Sequence, residues 1–83
     1  MNWWQEKDLW GLCSERYKGG GMVGFEKFAE NYTGTLEEKS YIINIVDILR
    51  IKNNSPRTRV YSLEGYNSLQ ELIDETYAIS NVD

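Results

Sequence analysis

The stretch Leu49-Arg50-Ile51-Lys52-Asn53-Asn54-Ser55-Pro56-Arg57-Thr58-Arg59-Val60-Tyr61-Ser62-Leu63 decides the fold. Apolar and polar residues alternate at its start, and Asn53-Asn54-Ser55-Pro56 separates that run from a second one. This pattern predicts two strands joined by a polar turn. Proline fixes its own φ and holds Ser55 extended, which suits a hairpin tip. With a period of two, Arg50 and Lys52 share one side, as do Arg57 and Arg59. If the hairpin pairs them on one face, four cations and the Asn53-Asn54 tip gather with no acid among them. Such a cluster either contacts phosphates or forms a solvated edge whose charges discourage strand-to-strand aggregation.

Outward from this stretch the pattern is helical. Upstream, Thr35-Leu36-Glu37-Glu38 has the form of a capping box, in which hydroxyl and carboxylate satisfy each other's backbone amides. It predicts a helix from Leu36 to about Leu49. The β-branched content of that segment (Ile42, Ile43, Ile45, Val46, Ile48) suits a strand equally well, and the cap is what favours the helix. Leu36, Ile43, Val46 and Leu49 are then expected to face the core. Glu37, Glu38, Ser40, Tyr41, Asn44 and Asp47 are expected outside, where Ser40, Tyr41 and Asn44 can meet base edges and the acids oppose phosphates. Earlier still, Trp3, Trp10, Cys13 and Tyr17 form a helical stripe that Gly19-Gly20-Gly21 ends. Phe25, Phe28, Ala29 and Tyr32 mark a second, short helix closed by Gly34. Downstream, Gly65 ends the hairpin and Ser68-Leu69-Gln70-Glu71 caps a last helix with Leu69, Leu72, Ile73, Thr76 and Tyr77 inward.

Three helices, a two-stranded hairpin and a closing helix make an α+β, winged-helix-like order in a single domain over residues 1–83. The segment from Thr35 to Leu72 resembles winged-helix transcription regulators of the MarR and PadR type. The matching residues are Arg57, Arg59, Val60, Tyr61, Ser62, Leu63 and Gly65, followed by Leu69 and Leu72. Two features depart from that family: no acidic residue precedes the arginine, and the long dimerisation helix of larger members is missing. The resemblance implies a small non-enzymatic regulator whose hairpin touches duplex DNA.

Composition narrows the chemistry. The 83 residues include no histidine, which removes Ser-His-Asp and Cys-His nucleophile arrangements and most zinc sites. A single cysteine, Cys13, forms no internal disulfide and suits a reducing cytoplasm. The Met1-Asn2-Trp3-Trp4 start lacks the basic and apolar regions of a signal peptide. Gly19-Gly20-Gly21-Met22-Val23-Gly24 matches G-x-G-x-x-G, but a helical stripe precedes it where a dinucleotide site needs a strand. Glu37 with Glu38, and Glu71 with Asp74 and Glu75, are explained by capping and the helix dipole. No catalytic residue, metal or cofactor is therefore expected. The net charge of −4 is uneven: residues 35–59 carry five basic and three acidic side chains, whereas residues 60–83 carry five acids and no base.

Adjacent Trp3 and Trp4 cannot both face one core, so Trp4 either folds back over it or anchors a partner or a homodimer. The leading expectation is thus a DNA-binding regulator whose contacts are Arg50, Lys52, Asn53, Asn54, Arg57, Arg59, Ser40 and Asn44. The alternative is a small acidic protein-interaction module, inhibitor-, antitoxin- or immunity-like, using the acidic C-terminal helix or Trp3 and Trp4.

Overall fold

The computed structural model describes residues 6–55 and 59–80. They form three helices, α1 (Glu6–Asn31), α2 (Leu36–Asn53) and α3 (Leu69–Ser80), around one apolar core. The expected α+β, winged-helix-like architecture is corrected here: among the described residues there is no strand, and the fold is all-helical.

α1 is two helical arms meeting at Gly21, whose φ of 65° and ψ of −168° leave the helical region. A residue with a Cβ is strained at such a positive φ. The break therefore falls inside the glycine run, where the sequence expects one helix to end. The first arm buries Leu9, Trp10, Cys13 and Tyr17, and the second buries Phe25 and Ala29. The two fold back on each other, so that Tyr17 meets Phe25 with ring centroids 5.7 Å apart. The Arg16 guanidinium lies 5.4 Å from the Phe28 ring centre.

The Thr35 capping box forms as its sequence predicts. Glu38 N–H donates to Thr35 Oγ1 (3.1 Å) and Thr35 N–H donates to Glu38 Oε1 (2.9 Å). α2 then runs through Arg50, Ile51 and Lys52 to Asn53, four residues that the two-residue alternation assigns to a strand and its turn. The alternation is too short to compete with a stronger helical pattern. Ile42, Ile45, Leu49 and Lys52 recur at spacings of three and four, and all are buried. Arg50 and Lys52 in the last turn also complement the helix dipole. The buried face differs from expectation as well. Tyr41 is buried, while Leu36 and Ile43 are exposed. The sequence offers two apolar faces on α2, and the denser one, with Ile42, Ile45, Val46, Ile48 and Leu49, takes the core.

Residues 59–68 cross the core without forming a strand. Val60 shows why. Its N–H donates to Asn53 Oδ1 (2.6 Å), and its carbonyl accepts from the Tyr17 hydroxyl. Both groups needed for a ladder are thus taken by side chains. Val60 and Leu63 plug the core, and Gly65 turns the chain at φ 96°. Trp10 Nε1–H donates to the Tyr66 carbonyl (3.1 Å), tying this segment to α1. α3 begins at a variant of the expected cap. Ser68 Oγ accepts from Glu71 N–H (3.3 Å), but the Glu71 carboxylate reaches one residue further back, to Asn67 N–H (2.6 Å). Leu69, Leu72 and Thr76 face inward, while Tyr77 is exposed, against expectation.

Candidate protein-interaction surface

The predicted basic cluster is not assembled as a hairpin face. Arg50 is on α2 and holds Glu26 of α1, with its Nη2 2.7 Å from Glu26 Oε2 and its Nη1 3.6 Å from Asp47 Oδ1. Lys52, expected at a solvated edge, is buried at 2% exposure, with Nζ 2.9 Å from Glu75 Oε1 and 5.8 Å from the Tyr66 ring centre. The long stem of lysine lets it cross the α2–α3 seam and deliver its charge to a carboxylate at the rim. Asn53, expected at a hairpin tip, is half-buried. It donates to the Tyr17 hydroxyl (3.1 Å) as well as accepting from Val60. Asn54 caps α2, its N–H donating to the Arg50 carbonyl (3.1 Å). Arg59 is exposed, and Arg57 lies outside the described residues, as do Trp3 and Trp4.

Ser40 and Asn44, the expected base-edge readers, are exposed on α2. Their neighbours give that face its character. Leu36, Ile43 and Ile51, at i, i+7 and i+15, are 82%, 42% and 49% exposed. With 100° per residue they fall within one quarter of the helix circumference, together with Ser40 and Asp47. The result is an apolar stripe punctuated by hydroxyl and carboxylate groups, with Lys39 and Arg50 along one margin. Beside it, Ala29, Ile43 and Val46 floor a groove of about 260 Å³ between α2 and the second arm of α1. Its walls are Glu26, Glu30, Lys39, Asp47 and Arg50, whose charges nearly balance.

Sequence reading misses Leu36, Ile43 and Ile51 as surface residues because apolar spacing alone does not say which of two faces is buried. The signal that separates them is density: five large aliphatics between Ile42 and Leu49 lie away from Leu36 and Ile43.

Reactive chemistry is muted elsewhere. Burial pushes the Cys13 thiol up to about 12, so it stays protonated and a poor nucleophile at neutral pH. Burial and the neighbouring Glu75 carboxylate push the Tyr66 phenol up to about 12, which keeps it a donor to Glu75 Oε1 at 3.2 Å. The Lys52 hydrogen bond holds the Glu75 carboxyl below its ordinary value. Glu71 is engaged at the α3 cap, and Asp74 accepts from Gln70 (2.9 Å). Among the described residues no three acidic or cysteine side chains converge as a metal-ligand set. No described helix is long and apolar enough to cross a membrane. Comparison with known proteins returns no match: no family model, no curated protein and no solved structure is significantly similar to this chain.

Proposed function

We propose that this protein is a non-enzymatic protein-interaction module that offers the outer face of α2 to a partner protein in a reducing, cytoplasmic setting. One observation carries the reading: Leu36, Ile43 and Ile51 are exposed in a single row on a helix whose opposite face is the centre of the core. Leu36 is largely exposed and Ile43 and Ile51 about half exposed, so burial against a partner recovers roughly 1 to 2 kcal/mol from each. The electrostatics point the same way. Of the described cations expected to meet phosphates, Lys52 is buried on Glu75, Arg50 is exposed but paired with Glu26 and Asp47, and Arg59 is exposed. The acidic balance of −4 disfavours nonspecific adhesion to nucleic acid.

Affinity capture from native lysate tests this, with wild type against Leu36→Asp/Ile51→Asp and with and without nuclease. The expected result is a protein captured in both nuclease conditions by wild type and lost, by tenfold or more, from the variant. Equal capture by the variant refutes the α2 face. Capture that nuclease abolishes, with direct duplex binding at low salt, refutes the module and favours the DNA-contacting regulator.

A further inference from the structure

We propose that Gly21 is an exchange hinge: α1 opens there into one continuous helix, and two copies of the chain trade their first arms to form a closed dimer. This goes beyond the interaction reading and does not depend on it.

Four observations meet at this point. First, Gly21 is the one residue within α1 with non-helical backbone angles, and its φ of 65° is accessible to glycine and disfavoured for residues with a Cβ. Second, its neighbours are glycines that packing does not demand. A Cβ at Gly19 or Gly24 meets nothing within 4 Å, and one at Gly20 meets the Phe25 nitrogen at 4.0 Å, an ordinary contact. As the poorest helix formers after proline, they weaken the helix on both sides of the break and ease the bend. Third, the first arm is a separable plug. Leu9, Trp10, Cys13 and Tyr17 are each 5% exposed or less, and the arm's bonds to the rest of the chain all reach residues beyond the hinge: Trp10 to Tyr66, Tyr17 to Val60 and Lys18 to Glu64. The first arm of a second copy makes the same contacts with the same local geometry. Fourth, the two states are far apart. Arg16 lies 5.4 Å from the Phe28 ring, whereas twelve residues of straight helix span about 18 Å, so an opened α1 cannot keep its first arm on its own core.

Exchange supplies the first arm's contacts from a second copy and completes the helical hydrogen-bond ladder across residue 21. It is opposed by association entropy and by the poor helix propensity of glycine at residue 21. Glycine at position 21 holds the balance toward the bent monomer. Alanine there is strained when bent and favoured when straight. Each of the two hinges then contributes roughly 30-fold, and the dimerisation constant rises about 10³-fold. At ψ −168° asparagine, which tolerates only the left-handed helical region, is strained as alanine is. Alanine at Gly24, which is helical and meets nothing within 4 Å, favours bent and straight forms equally and leaves the monomer in place.

The test is sedimentation of wild type, Gly21→Ala and Gly24→Ala at about 100 μM, followed by zero-length carbodiimide cross-linking. Lys18 Nζ and Glu64 Oε1 lie 3.7 Å apart, bridging the first arm and the 59–68 segment. In a bent monomer that cross-link stays within one chain. In the exchanged dimer it joins two chains and gives twice 9.7 kDa on a denaturing gel. The expected result is a dimer with interchain Lys18–Glu64 linkage for Gly21→Ala, and monomers for wild type and Gly24→Ala. A monomeric Gly21→Ala with wild-type helicity overturns the proposal, as does a dimer whose Lys18–Glu64 link stays within one chain. Should Gly21→Ala fail to fold, wild type refolded from denaturant at millimolar concentration decides. An interchain link supports exchange, and its absence overturns it.

Discussion

Replacing Glu75 with glutamine tests the seam between α2 and α3. Lys52 Nζ is buried, with its side chain 1% exposed, and Glu75 Oε1 at 2.9 Å is its charged partner. Removing one member of a fully buried pair costs about 3 to 5 kcal/mol, because the other charge is left uncompensated. Here the Glu75 side chain is 48% exposed, so water reaches the seam and screens much of that loss. Glutamine also retains an acceptor for Lys52. We therefore expect Glu75→Gln to destabilise by about 2 kcal/mol, which lowers Tm by roughly 8 to 16 °C in a domain of this size. Lys52→Met/Glu75→Gln should regain most of the loss, since it buries no charge. The pH dependence has a definite sign. The folded-state pKa of Glu75 lies below its ordinary 4.5, chiefly through the Lys52 hydrogen bond, so its contribution is present above 4.5 and fades as pH falls through the lowered value. Urea titrations followed by circular dichroism at pH 7 and at strongly acid pH measure both effects. A loss under about 0.5 kcal/mol at pH 7, or an equal loss at both pH values, refutes the claim that this ion pair holds α3 in place.

Three further perturbations address the cap, the segment latch and the thiol. Thr35→Ala removes the acceptor of Glu38 N–H and should cost about 1 kcal/mol, measured by thermal denaturation. Asn53→Ala deletes the partner of Val60 N–H and a donor to the Tyr17 hydroxyl; we expect about 2 kcal/mol, with faster amide exchange at Val60. Cys13, with its thiol at about 12, should resist alkylation at pH 8 in the native protein and react once denaturant unfolds it.

The helical half of the fold is legible in the sequence because each signal there has a local physical cause. Thr35 and Glu38 satisfy each other's amides whatever surrounds them, and Gly21 supplies a backbone angle that other residues resist. The apolar stripe of Leu9, Trp10, Cys13 and Tyr17 has no rival face on its arm. The 49–63 stretch misleads because its alternation is short and its ends are settled by distant partners. Val60 has the composition of a strand residue. Its N–H and carbonyl nevertheless go to Asn53 and Tyr17, separated from it by 7 and 43 positions, and nothing in the local pattern announces that pairing.

Lys52 carries the same point into function. In sequence it alternates with Arg50 beside a polar turn and reads as a phosphate contact. In the fold both residues pair with carboxylates of neighbouring helices, Arg50 at the surface with α1 and Lys52, buried, with α3. A chain of 83 residues has little apolar surface to bury, and each basic side chain committed to holding a helix is one fewer for an external anion. Val23, Tyr61 and Tyr77 are exposed on other segments, whereas Leu36, Ile43 and Ile51 form a row on one helix that internal packing does not use. Function in this protein is accordingly sought on the side of α2 that the core leaves uncovered.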